Sequence, residues 1–78
     1  MKLAEARGRK LLTGRELAER AGVSHTNIYA IEAGRWLPSL PTIRKLCEAL
    51  EVQNPLDIDE FKAAIEKTTQ GKKEPARA

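Results

Sequence analysis

At 78 residues the chain has material for one small core, and an apolar content of 41% is too high for a wholly disordered polymer. One Trp, one Tyr and one Phe leave that core to Leu, Ile, Val and Ala, as in a helical domain. One Cys and one His cannot make an intrachain disulfide or a tetrahedral zinc set, so no metal or cofactor is expected. No apolar run approaches the roughly 18–20 residues that cross a bilayer, and no secretory signal opens the chain, so a cytoplasmic protein without membrane contact is expected.

The net charge of +3 is unevenly placed: residues 1–50 carry nine Lys/Arg against five Asp/Glu, and residues 51–78 carry five against six. A cationic first part points weakly to a polyanionic partner.

In chain order, Leu3, Ala6 and Leu11 fall near one face of a helix over about residues 2–11, with Gly8 as a weak point inside it. Thr13 followed by Glu16 is a capping box, so a second helix starts there, turns Leu17, Ala18 and Ala21 inward and stops at Gly22. Ser24 caps a third helix over about residues 24–33, whose core side is Ile28 and Ile31. Only three residues turn the chain between these two helices, the corner of a helix-turn-helix pair. Gly34 closes the third helix, Ser39 caps a fourth with Pro41 in its first turn, and Ile43, Leu46, Cys47 and Leu50 line it. Asn54-Pro55 and Asp57 offer start signals for a fifth helix using Ile58, Phe61, Ala64 and Ile65. The expected fold is all-α: a compact five-helix domain over residues 1–68 with a flexible, disordered tail over 69–78, TQGKKEPARA.

Stepping 100° per residue from Ile28 and Ile31 leaves Thr26, Tyr29, Ala30 and Ala33 pointing away from the core, with His25 at the exposed N-terminal end. A helix with short side chains on its outer face fits the major groove of B-DNA, where hydroxyls, imidazoles and methyls reach base edges.

Residues 14–37 closely resemble the helix-turn-helix of the phage-repressor and Cro (XRE) family. Ala18, Gly22, Val23, Ile28 and Ile31 fit its pattern, and IEAGRWLPSLPTIRKLCEALEV resembles its continuation. The resemblance covers residues 3–52 and implies a lambda-repressor-like fold and a DNA-binding transcriptional regulator. It also implies that His25, Thr26 and Ala30 meet bases. Their chemistry suits that role: His25 could donate to guanine, Thr26 could bond a base or touch a thymine methyl, and Ala30 could pack on a methyl.

Asn27 could bond an adenine or a phosphate, and Tyr29 reads as a backbone or flank contact. Helix N-termini attract anions, which nominates Gly14 and Arg15 at one start and Ser39 at another for phosphate contacts, with Arg35 and Arg44 as further charged partners. The family usually has Gln where this chain has Gly14. It also pairs an Arg of the first helix with the Glu of the E-x-G turn, here Arg7 and Glu32.

Other features read as structural. Ser24-His25 lacks a third group to orient the imidazole and is better explained as a cap, so no catalytic residue and no enzyme is expected. Cys47 fits the core, while Trp36 could meet DNA backbone, a second subunit or the fourth helix. The resulting expectation is a sequence-specific repressor that binds double-stranded DNA as a homodimer, with no small-molecule effector and with Phe61 and Ile65 as candidates for self-association. The alternative is a protein-interaction module, such as an antitoxin or adaptor, on the same fold.

Overall fold

The computed structural model describes residues 1–73, with side chains through residue 67. Its helices are α1 (Leu3–Arg9), α2 (Gly14–Ala21), α3 (His25–Glu32), α4 (Leu40–Leu50) and α5 (Asp59–Lys73), with a 3-10 turn at Pro55–Asp57. The described residues contain no strand, and the all-α, five-helix expectation holds. α2 packs mainly on α3 and α4, and the 3-10 turn lies against the start of α5.

The caps foreseen at Thr13, Ser24 and Ser39 form by side-chain acceptance of backbone N–H groups. Thr13 Oγ1 accepts from Glu16 at 3.0 Å while the Glu16 carboxylate accepts from Thr13 N–H at 2.9 Å. Ser24 Oγ accepts from Thr26 N–H at 3.2 Å and Ser39 Oγ from Thr42 N–H at 3.4 Å. Each satisfies an amide that the helix cannot. α1 has no such cap of its own; instead Glu60 of α5 accepts from Leu3 N–H at 2.8 Å. The first helix is thus capped from the far end of the sequence.

Four helices end in the same motif, a left-handed residue whose successor donates back five residues. Gly22 (φ 72°) and Gly34 (φ 76°) adopt it easily, and Val23 N–H and Arg35 N–H donate to the carbonyls of Ala18 and Ala30. Leu11 (φ 58°) and Glu51 (φ 59°) adopt it without being glycine. This corrects the first helix: it stops at Arg9, not residue 11, because Leu11 is the left-handed terminator and its side chain stands 90% exposed.

A non-glycine residue there costs about 1–2 kcal/mol, part of which a more flexible unfolded glycine returns. Leu11→Gly should therefore raise stability by about 0.5–1 kcal/mol, read as a higher urea midpoint at unchanged m.

Glu51 is held from across the fold: Lys10 Nζ donates to its Oε1 at 2.7 Å. That hydrogen bond first, and then the Lys10 charge, hold the Glu51 carboxyl below its ordinary value. A lowered folded-state pKa gives stability that is complete above the unfolded value and lost as pH falls through the folded one, here on the acid side of the carboxylate range. Lys10→Met should move the Glu51 carboxyl ¹³C titration midpoint back up, with little change in stability at neutral pH because both side chains are well exposed.

The core joins all five helices: Leu3, Leu17, Ile28, Ile31, Leu46 and Phe61 are 0% exposed. Cys47 is buried among them, and burial pushes its thiol pKa up, so it behaves as a small apolar side chain. Phe61 is withdrawn from the self-association role that Ile65 can still share, since its ring is fully enclosed by its own chain. Asn54 caps the 3-10 turn, accepting from Leu56 N–H at 3.0 Å, and α5 follows only at Asp59. The α5 backbone continues through residues 69–73, which belong to the expected tail; Gln and Lys are good helix formers. Residues 74–78 of that tail lie outside the described residues.

Candidate nucleic-acid interface

α3 turns its two isoleucines fully inward and leaves a row of short side chains outside. Thr26 and Ala33 are exposed, and His25, Asn27 and Ala30 are half-buried. Tyr29 is the one large outward residue, at 44% exposure. The period of 3.6 residues explains this division, because positions 28 and 31 share one face and 26, 29, 30 and 33 lie on the other.

The far end of α3 is fixed by a forked ion pair. Arg7 Nε donates to Glu32 Oε2 at 2.8 Å and an Arg7 terminal nitrogen donates to Glu32 Oε1 at 3.0 Å. The other terminal nitrogen donates to the Leu12 carbonyl at 3.2 Å. The two side chains keep only 20% and 14% of their exposure. The bond to Glu32 pushes the Arg7 guanidinium pKa up against the opposing effect of burial. α1 is thereby tied to the last residue of α3.

Around this helix the candidate phosphate-binding residues spread over several elements. Arg15 begins α2, Arg35 follows α3, and Ser39 and Arg44 belong to the cap and body of α4; all four are exposed. Among the described residues, Arg15, Arg35 and Arg44 form no ion pair, whereas Arg7, Arg9 and Lys10 are all engaged by carboxylates. Arg20, also outside any such pair, acts on Glu51 at the opposite end of α2. Lys2, Lys45, Lys62 and Lys67 also form no ion pair among the described residues, so Arg15, Arg35 and Arg44 are set apart by their places at the start of α2, just after α3 and in α4.

Gly14 differs from the simple expectation of an open helix start. It is buried, and a Cβ built on it would lie 2.6 Å from the Cε1 and Cζ atoms of Tyr29. The tyrosine ring, not residue 14, fills the surface at the head of α2. His25 in turn meets that ring edge-on, with centroids 6.1 Å apart and planes at 79°. Sequence reasoning placed these three residues separately; the available signal was a glycine at a position where a side chain is usual, matched by one oversized residue on the facing helix.

Trp36 and Leu37 stand 38% and 43% exposed in the connection to α4. A groove of about 520 Å³ runs between α4 and α5, lined by Leu40, Ile43, Cys47, Val52, Pro55 and Ile65 among others. Among the described residues no helix is long and apolar enough to cross a membrane.

Two amphipathic helices joined by a three-residue corner, with the second held outward, define a helix-turn-helix protein. A family model described as a helix-turn-helix domain matches residues 1–61. The chain is also 45% identical over 47 residues to an uncharacterised HTH-type transcriptional regulator of Methanothermobacter thermautotrophicus, a match spanning 60% of this chain and 68% of that protein. Among solved structures there is no significant match. The chain belongs to the helix-turn-helix regulator family, in agreement with the resemblance carried by its motif.

Proposed function

We propose that this protein is a sequence-specific DNA-binding transcriptional regulator that acts as a repressor, laying the helix over residues 24–33 in the major groove and covering promoter sequence. The observation that carries this reading is the outward row of α3, exposed at Thr26 and short at Ala30, flanked by the unpaired Arg15, Arg35 and Arg44. In it, His25, Thr26, Asn27 and Ala30 read bases. Arg15, Tyr29, Arg35, Ser39 and Arg44 meet the sugar-phosphate backbone, with the ring of Tyr29 taking the place at the α2 start that buried Gly14 was expected to hold, and these contacts fix register without reading sequence.

Residues 1–68 form the binding domain, and the protein works in the cytoplasm without a small-molecule effector. No catalytic role is assigned: the Ser24 hydroxyl serves as the cap of α3. It acts as a symmetric homodimer, because one recognition helix reads too few base pairs to stand out among genomic competitors and a second half-site about one helical turn away supplies the rest.

Selection of bound duplexes from a random pool tests this reading. The expected outcome is one preferred, two-fold symmetric site whose affinity falls steeply as salt rises, with specificity surviving at physiological ionic strength. On that site Thr26→Ala should change discrimination at one or two base pairs by about 1–3 kcal/mol. Arg35→Ala should weaken all duplexes alike and reduce the slope of log K against log salt by about 1. Equal, sequence-blind effects of both substitutions would remove α3 as the reading element.

The groove between α4 and α5 favours a second reading, a protein-interaction module whose main ligand is another polypeptide. Such a module would bind DNA only weakly and without sequence preference, so the same selection separates the two.

A further inference from the structure

We propose that Tyr29 is a positioning residue for His25, and that residue 14 is glycine because the tyrosine ring occupies the volume a side chain there would fill. The consequence for base reading rests on α3 being the groove-entering helix; the packing itself does not.

Three observations converge on the ring. An added Cβ at residue 14 would stand 2.6 Å from two ring carbons and 2.7 Å from the hydroxyl oxygen, closer than real side-chain contacts allow. The backbone gives no other reason for glycine here, since residue 14 has no positive φ, unlike Gly22 and Gly34, around which a Cβ would meet nothing within 4 Å. The same ring receives His25 in a T-shaped contact at 6.1 Å, a pairing that the four-residue spacing on α3 makes possible.

The seat of Tyr29 is steric. Among the described residues its hydroxyl makes no hydrogen bond to the protein; the ring lies over Gly14 and in T-shaped contact with the imidazole, close enough to Arg7 to act on its charge. With the Tyr29 ring packed beside it, the His25 imidazole has fewer rotamers from which to approach a base. The start of α2 therefore bears on a side chain of α3 through the ring packed against both. Tyr29 has two consequences in this arrangement: its hydroxyl stays available to the backbone, and its ring sets the reader beside it.

The test uses the full chain. In the DNA-free protein, Tyr29→Ala and Gly14→Ala should both shift the His25 imidazole ring-proton resonances, and Tyr29→Phe should leave them near wild type. Gly14→Ala should lower Tm in the native background, because the ring must move, and leave it unchanged or raise it in the Tyr29→Ala background, where the space is open and alanine favours a helix.

On duplexes carrying the selected site, Tyr29→Ala should weaken discrimination at the same base pair as His25→Ala by roughly threefold to tenfold, with the double variant no worse than His25→Ala alone. Tyr29→Phe should retain that discrimination even if it weakens every duplex alike. Unchanged His25 resonances in Tyr29→Ala, or equal Tm effects of Gly14→Ala in both backgrounds, overturn the positioning role. Uniform weakening by Tyr29→Ala with discrimination intact at the His25 base pair overturns it too. If His25→Ala alters no base preference at all, it is the groove reading of His25 that fails, while the resonances and Tm values still decide the packing claim.

Discussion

Phe61→Ala should lower the free energy of unfolding by about 3–5 kcal/mol, most of what a domain of this size possesses. Phe61 is the largest fully buried side chain, enclosed with Ile58 and Ala64 at the start of α5. Its removal loses the transfer energy of the ring and leaves a cavity that the close-packed core around it cannot readily collapse to fill. At about 4–8 °C per kcal/mol for a small domain, Tm should drop by roughly 12–40 °C. Urea unfolding checks this: the midpoint should fall with m unchanged and with no dependence on protein concentration. A loss of stability seen only at low protein concentration would instead place Phe61 between chains, contrary to its enclosure in one.

Glu32→Ala should cost about 3 kcal/mol, because it leaves the Arg7 guanidinium mostly buried with only the Leu12 carbonyl as partner. The residual 20% exposure of Arg7 lets water soften the penalty, which sets the expectation at the low end for broken buried pairs. Arg7→Ala should cost a similar amount, for the carboxylate is then left alone. Replacing both with leucine should be less harmful than either single change, since no charge is then stranded.

The two properties the pair controls should separate in this cycle. Stability recovers in the double variant, but duplex discrimination does not, because the fork that ties the end of α3 to α1 is gone. Equilibrium unfolding and binding to the selected site, run on all four proteins, would show it. Recovery of both properties together would mean that the pair contributes stability alone and leaves the angle of α3 to the isoleucines.

Much of the architecture is local chemistry and was legible in the residues. Thr13 with Glu16, Ser24 and Ser39 mark helix starts because a hydroxyl at those positions satisfies free amides of its own helix. Gly22 and Gly34 mark helix ends because glycine alone takes a left-handed conformation at no cost. Leu11 escaped for the same reason inverted: a leucine gives no sign that it will adopt φ 58°. The burial of Ile28 and Ile31 followed from helical period, and the outward row at Thr26 and Ala30 followed with it.

What the amino-acid order determined by itself was thus where helices begin and end, which stripe of each is apolar, and the three-residue corner that makes the motif, all of which depend on neighbours within about one turn. The tertiary structure alone decided the rest: Glu60 capping α1, Lys10 holding Glu51, Phe61 turned into its own core, and Tyr29 resting on Gly14. These contacts join residues from 15 positions to more than half the chain apart, and no local propensity encodes them. They exist because packing five short helices around one core brings particular side chains within a few ångströms, and only then do charge, shape and hydrogen bonding select among them.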